Sequence, residues 1–469
     1  MTESEEQQEI EPEELLVEGG EDEDEGFELP KATFTPVNFS HGTRRILDLY
    51  RAYAVDKELD PRPSFQRGYV WDRNRATKLI ESILLHVPIP LIYTAEEDDG
   101  REVVIDGQQR LTSCFSFIEG FFPPTANDLE RSKAGHEVKK RPFRLGKMKI
   151  LRELEGKGYL QLPDDLKKTL DRYGLQVIKI SKESHPDVKF EIFERLNTGS
   201  VALADQEIRN CIYRGPYNDL INKLSNSENF RRALGLSAEA KRMQDVELVL
   251  RFLAFNDKTH LNYNHKMKAF LNAHMRENRY LSEERATAFR TSFGIACDLS
   301  YTVFGDKAFR RYSLGTPRNP NGGWERTVNK ALYDCVMFWF ARFEKRQIIE
   351  RKDAIREAMI KLCLEDSVFI DATTLGTGDI ARVRSRFEIW GEELKRIVNL
   401  PMNERRLFTY SEKKTIFDED QTCAICEQRI ETLDDAAVDH ILAFSKGGTT
   451  SSDNAQLSHR YCNRVKSDS

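Results

Sequence analysis

The sequence predicts a multidomain chain: a mixed α/β domain first, a mainly α region after it, and a small metal-stapled module last. Three observations carry that expectation. An apolar run, Glu102-Val103-Val104-Ile105, passes through Asp106-Gly107 into a helical pattern, the punctuation of a strand-turn-helix unit. From about residue 216 to 403 apolar residues recur at helical intervals. Near the end, Cys423-x-x-Cys426 and His459-x-x-Cys462 set four soft ligands in two pairs. A chain of 469 residues is also too long for one core. The expected divisions are 1–31, 32–215, 216–405 and 406–469.

Composition narrows the class. Hydrophobic residues make up 39% and charged residues 32%, as in a globular protein with a polar surface. No apolar run approaches the roughly eighteen residues of a membrane helix, and no basic-plus-apolar leader opens the chain, so no membrane partner is expected. Of eight cysteines, three lie in the paired motif; Cys114, Cys211, Cys297, Cys335 and Cys363 are scattered singly, as buried thiols in a reducing, cytoplasmic setting would be. The net charge of −6 hides an asymmetry: residues 1–30 hold fourteen carboxylates and no Lys or Arg, leaving the remainder at +8. The acidic stretch Thr2–Glu28 has too little apolar content to fold alone and reads as a disordered tail. The sharper alternative is a nucleic-acid mimic that covers a basic groove.

The α/β domain begins at about Ala32. Pro63-Ser64-Phe65-Gln66-Arg67-Gly68-Tyr69-Val70-Trp71 mixes aromatic and basic residues ahead of a helical stretch, Arg73–His86. After the strand, Asp106-Gly107-Gln108-Gln109-Arg110 sits at the turn, and Leu111, Phe115 and Ile118 share one face of the following helix. Gly107 permits close backbone approach, and a helix start favours an anion. Beyond the basic segment Arg131–Arg172 comes a second polar cluster, Phe193-Glu194-Arg195-Leu196-Asn197-Thr198-Gly199, then Gln206-Glu207-Ile208-Arg209-Asn210. Either cluster alone reads equally well as a solvated helix end.

Together and in this order, with Gln66-Arg67-x-Tyr69-Val70-Trp71 upstream, they resemble the amino-terminal domain of the GmrSD-type and SspE-type modification-dependent restriction proteins. The resemblance spans roughly Asn38–Arg214 and implies a ParB/sulfiredoxin-like fold. It further implies binding and hydrolysis of a nucleoside triphosphate coupled to sensing of modified phage DNA. Asp106, Gly107, Gln108, Gln109 and Arg110 would line the triphosphate site, with Arg110 stabilising phosphate charge. Arg195 and Asn197 would reach it, and Gln206, Glu207 and Arg209 would complete it. Phe65, Gln66, Arg67 and Trp71 would form the DNA-sensing face. Two positions depart from the family pattern: Thr112-Ser113 replaces a Thr pair, and Ala204 replaces a hydroxyl helix cap worth about 1 kcal/mol, with Asp205 as the substitute. No Gly-rich loop ending in Lys-Ser/Thr occurs, which excludes a P-loop enzyme.

The middle region predicts helices at Lys241–Phe255, within Asn329–Leu364 and at Ile380–Val398, with an irregular Gly/Pro/Asn loop at residues 315–323. His265, His274 and neighbouring Lys and Arg residues, and the run Arg382, Arg384, Arg386, are candidates for duplex contact, against the competing reading of ordinary exposed helix faces.

The last module closes the argument. Two-residue gaps let one tight turn aim two side chains at the same ion, so Cys423, Cys426, His459 and Cys462 suit a tetrahedral structural Zn2+. Between the pairs stand Val438-Asp439-His440-Ile441, Lys446-Gly447-Gly448 and Asp453-Asn454, and Cys462-Asn463-x-x-Lys466 ends the series. This order resembles a zinc-stapled HNH (ββα-metal) nuclease over roughly Cys423–Lys466. The resemblance implies His440 as general base, Asp439 and Asn463 as ligands of a catalytic Mg2+ or Mn2+, and Asn454 as the group that orients His440. Lys466 and Arg464 would hold phosphate oxygens. The expected protein is thus an anti-phage DNA endonuclease acting on double-stranded DNA under nucleotide control. One such centre nicks, and a double-strand break would need a homo-oligomer or two visits. The competing reading is a nucleotide-dependent DNA-binding regulator whose zinc module is a non-catalytic ribbon.

Overall fold

The computed structural model describes residues 17–18, 38–61, 69, 71–97, 99–124, 140–184, 186–196, 204–236, 240–264, 266–399, 408, 410–442 and 449–467. They fall into two compact units, Phe27–Arg214 and a second built from Met1–Gly26 together with Gly215–Ser469.

The first unit is α/β, as its pattern predicts. Its strands are β1 (Phe39–Arg45), β2 (Leu59–Asp60), β3 (Ile92–Glu96), β4 (Glu102–Asp106) and β5 (Gly174–Ile180), ordered β1-β5-β3-β4-β2 in one mixed sheet. The outer pair β1/β5 is antiparallel, β5/β3 parallel, β3/β4 antiparallel and β4/β2 parallel. A charged set crosses part of the sheet: Arg44 reaches Glu102 at 2.8 Å, and Lys179 lies 3.4 Å from Glu96 and 3.7 Å from Glu102. The apolar residues of α1 (Ile46–Ala54), α2 (Arg73–Leu84) and α3 (Gln108–Glu119) form the core with the sheet, through Ile46, Leu49, Ala76, Ile80, Ile83, Val104, Leu111, Phe115 and Val177. Asp72 caps α2 by accepting the Arg75 N–H at 2.7 Å. Midway along α2, Glu81 turns inward and accepts the backbone N–H groups of Lys149, Ile150 and Leu151 at 3.3, 2.7 and 3.0 Å. A buried carboxylate that satisfies three otherwise orphaned donors anchors an irregular segment to the helix.

In the second unit the helical expectation holds, with one break. The pattern Asn329–Leu364 is interrupted, giving Lys330–Phe340, a short helix Lys345–Ile349 and Lys352–Glu365. Neither Gly nor Pro marks the break. Instead Gln347 reaches back to the Glu344 N–H at 3.2 Å, starting a new helix there. At the centre, Arg251, Asp334 and Arg386 are buried together: Arg251 grips Asp334 at 3.0 and 2.7 Å, and Arg386 adds 3.1 Å. Arg386 therefore does not join Arg382 and Arg384 on an exposed basic face. His274 is likewise interior, hydrogen-bonded to Tyr217 at 2.7 Å and Asp257 at 3.2 Å, which removes it from any DNA-contact role. His265 lies outside the described residues. Within the acidic amino-terminal stretch, Val17–Glu18 forms a short parallel strand against Val328–Asn329. Among the described residues no helix is long and apolar enough to cross a membrane.

The chain ends in a ββα module: a helix at Tyr410–Glu419, then β6 (Ala436–His440) antiparallel to β7 (Ala455–His459), then Arg460–Ser467 as the final helix. This module is seated on the helix Lys352–Glu365. Arg460 clasps Glu357 with two bonds of 2.7 Å and donates Nε to the Asp434 carbonyl at 2.6 Å. Arg356 meets Asp434 at 2.6 Å, and the Tyr312 hydroxyl donates to Asp435 at 3.0 Å.

Candidate active site and metal centre

The sequence Cys423-Ala-Ile-Cys426 folds as a knuckle: the Glu427 N–H bonds the Cys423 carbonyl at 2.9 Å, and Glu427 takes a φ of 59° to turn the chain back. At the other end, β7 delivers His459 and the first turn of the final helix delivers Cys462. The four ligand atoms of Cys423, Cys426, His459 and Cys462 lie within 4.8 Å of one another. His459 Nδ1 is 3.4 Å from Cys426 Sγ and 3.8 Å from Cys462 Sγ, separations typical of the edges of a small tetrahedron. Its Nε2–H donates to the Arg429 carbonyl at 3.3 Å, which leaves the Nδ1 lone pair for an ion.

Charge supports the same fit. Burial would raise the Cys423 thiol, but backbone N–H groups of Cys426, His459 and Ile425 outweigh it and hold it down at about 6. Burial and the neighbouring thiols push Cys462 up to about 12. One thiolate forms readily and then opposes others nearby. A divalent cation among them removes that repulsion, so the donor set suits zinc.

Asp439 and His440 end β6, opposite Gln456 and Ala455 of β7. Asp439 accepts from Lys466 Nζ at 2.9 Å, from Gln456 at 3.4 Å and from the His440 N–H at 2.8 Å. Burial would raise this carboxyl, but the Lys466 ammonium beside it outweighs that and keeps it below the usual carboxylate range. It stays ionised, as a divalent-metal ligand must be. Asn463 is half-buried on the final helix, between Cys462 and Lys466. Lys466 engages a carboxylate here, and Arg464 spends one donor on the Leu364 carbonyl at 3.1 Å. Lys466 is thus engaged with a protein carboxylate, while the exposed Arg464 uses one of its five donors.

Asn454 does not bond His440 directly. Its side chain closes a loop, accepting from the Leu442 N–H at 2.8 Å and donating to the carbonyls of Leu442 at 3.0 Å and Thr449 at 2.9 Å. The partner of His440 Nε2 is the Thr450 hydroxyl at 3.0 Å, and the Phe408 ring lies 5.0 Å away, centroid to centroid. Neither Thr450 nor Phe408 was among the residues expected from sequence. Each meets His440 across a loop or a module boundary, which no local motif announces. Gly447 and Gly448 lie outside the described residues.

In the first unit Asp106 ends β4 and Gly107 starts α3 with a φ of 99°. A Cβ on Gly107 would stand 2.3 Å from Ile92 Cδ1, so another residue here would take a disfavoured positive φ and push the end of the Ile92 side chain aside. Arg110 binds Asp106 at 2.6 Å and the carbonyls of Pro90 at 2.6 Å and Leu91 at 3.1 Å. Gln108 and Gln109 occupy the first turn of α3, half-buried beside it. Gln206, Glu207 and Arg209 share the helix Asp205–Ile212 and are all buried, with Arg209 donating to Gln206 at 3.3 Å. The helix start is secured by Glu207, which accepts the Ala204 N–H at 2.6 Å. Arg195 is exposed and paired with Glu191 at 2.7 Å, while Asn197 lies outside the described residues. Trp71 is half-buried under the Arg75 guanidinium, 5.3 Å from its ring centroid. Phe65, Gln66 and Arg67 also lie outside the described residues.

Two paired strands, a final helix and four converging sulfur and nitrogen ligands make a small module built around a metal-binding cluster. Residues 423–469 match the family model of the HNH endonuclease, and residues 49–214 match that of the GmrSD restriction endonuclease, N-terminal domain. The two matched stretches together support a restriction-type DNA endonuclease. No curated protein matches the chain. Among solved structures, a Pnob8-like ParB-N domain aligns at 13% identity and a TM-score of 0.20, covering 78% of this chain and 100% of its own.

Proposed function

We propose that this protein is a nucleotide-dependent, anti-phage DNA nickase of the cytoplasm, in which the first domain senses modified DNA and the HNH domain cuts one strand. The observation that carries the reading is the Asp439-His440 pair, held at the end of β6, with Asp439 bonded to Lys466 of the final helix. Rigidity in this pair comes from the β6/β7 ladder that ends at it.

In the proposed reaction His440 removes a proton from water, which attacks the scissile phosphorus in line with the departing 3′ oxygen. Asp439 and Asn463 would hold a Mg2+ or Mn2+ ion, which when bound neutralises charge on the phosphate and leaving oxygen. Lys466 transfers its ammonium from Asp439 to a phosphate oxygen as DNA enters. Cys423, Cys426, His459 and Cys462 hold Zn2+ as a structural staple. In the first domain Asp106, Gly107, Gln108, Gln109 and Arg110 hold the nucleoside triphosphate, with Arg195, Asn197, Gln206, Glu207 and Arg209 supporting that site. Phe65, Gln66, Arg67 and Trp71 meet the DNA. A homo-oligomer would turn two nicks into a double-strand break.

The test is plasmid nicking with Mg2+ or Mn2+, on plain and modified phage DNA, with and without nucleoside triphosphate. Wild type nicks, His440→Ala does not, and the rate depends on nucleotide or modification. If both proteins shift DNA and neither cuts it, the module is a binding ribbon and the nuclease reading falls.

A further inference from the structure

The base proposed for the nuclease has a partner that the motif does not contain. Asn454 fastens both ends of one loop, holding Leu442 through its N–H and carbonyl and Thr449 through its carbonyl. The next residue, Thr450, is thereby placed with its hydroxyl 3.0 Å from His440 Nε2. On another side the Phe408 ring, tilted by 42° at 5.0 Å, limits how far the imidazole can rotate. Phe408 precedes the module's first helix and lies outside residues 423–469.

An imidazole can act as a base through one nitrogen only if its proton sits on the other, and the hydrogen bond made by the second nitrogen decides this. Resting on the nuclease reading above, we infer that Thr450 is the positioning residue of the reaction. Its hydroxyl oxygen accepts the Nε2–H of His440, which puts the lone pair on Nδ1, and Asn454 acts at one remove by placing Thr450. Phe408 is the wall against which the ring is held. The specificity of the arrangement lies in a hydroxyl: serine can replace it, and valine, of the same shape, cannot.

The experiment is nicking by the full-length, zinc-loaded chain carrying Thr450→Val or Thr450→Ser, with His440→Ala alongside. Loss of a group that orients a functional histidine typically costs 10–100-fold. Thr450→Val should therefore lower kcat by about tenfold or more with KM for DNA unchanged, and Thr450→Ser should recover most of the loss. A structural defect would not be rescued by the smaller serine while sparing KM. Wild-type kcat in Thr450→Val, with His440→Ala inactive, would overturn this inference and leave the nuclease reading standing. Nicking by His440→Ala would overturn that reading itself. Independently of any variant, nitrogen-15 spectra of wild type should show the His440 proton on Nε2, and a proton on Nδ1 would refute the assignment.

Discussion

Glu357→Gln tests whether the nuclease module is built into the helical body or merely attached to it. Arg460 stands between two zinc-type ligands, His459 and Cys462, and places both guanidinium ends on Glu357 at 2.7 Å. Stripping one partner from a buried ion pair costs about 3–5 kcal/mol. Here the Arg460 side chain is 11% exposed but that of Glu357 is 33% exposed, so water reaches one side of the pair. Screening there lowers the expected cost to about 2 kcal/mol. The glutamine keeps one acceptor for Arg460 and loses attraction to Lys413, whose Nζ lies 3.8 Å from Glu357. Because about 1.4 kcal/mol corresponds to tenfold, the open population of the module should rise about 30-fold. Hydrogen exchange of the β7 amides, Ala455 to His459, in the full-length protein reads that population directly. A double-mutant cycle with Arg460→Met should return a coupling of about 2 kcal/mol. Unchanged β7 exchange in Glu357→Gln, or a coupling near zero, would refute a built-in module and make the clasp a surface contact.

Three further outcomes are expected. Gly107→Ala combines a disfavoured positive φ with a Cβ 2.3 Å from Ile92, and should destabilise the first domain by about 2–4 kcal/mol in denaturant unfolding. The Glu81 carboxyl is pushed up by burial but pulled down further by the N–H groups of Ile150, Leu151 and Lys149, so its folded pKa lies below the ordinary value. Its contribution is therefore present above about pH 4.3 and is lost as pH falls below that. Melting of the first domain between pH 5 and 3 should steepen in wild type relative to Glu81→Gln. A strong chelator should unfold the last module and not only silence it, read as new protease cleavage after residue 410, and Cys462→Ala should reproduce that cleavage without chelator.

Much of this architecture is written in local chemistry. The buried run Val103–Ile105 is a strand paired on both sides, and Gly107, in a positive φ, lets the chain turn from it into the helix. The ligand pairs are legible because two-residue spacing is itself geometric. What local pattern conceals is where a charged side chain finds its partner. Arg386 shares a helix with Arg382 and Arg384 and looks like part of a basic stripe, yet Asp334, 52 positions away, draws it into the core. His274 looks like a surface cation and is an interior hydrogen-bonding group between Tyr217 and Asp257. The break before Glu344 escapes notice because no Gly or Pro marks it, and the next helix is started by Gln347 capping the Glu344 N–H. Asn454 was assigned to His440 by motif position. In space it serves the loop, and a threonine with no motif role supplies the contact.

The placement of the eight cysteines has a chemical consequence. Burial pushes the Cys114 thiol up to about 12 and that of Cys363 to about 11, and raises Cys297 and Cys335 as well, so these sulfurs stay protonated in the folded protein. The three module cysteines converge with His459 on one point, where an ion would engage all three sulfurs at once. A zinc ion held there would serve as a protecting group: a chelator followed by an alkylating reagent should mark Cys423, Cys426 and Cys462 while Cys114, Cys297, Cys335 and Cys363 stay unlabelled. The same partition makes this module the first casualty of thiol-directed oxidants that strip zinc, so that nuclease capacity would be withdrawn before the rest of the chain is damaged.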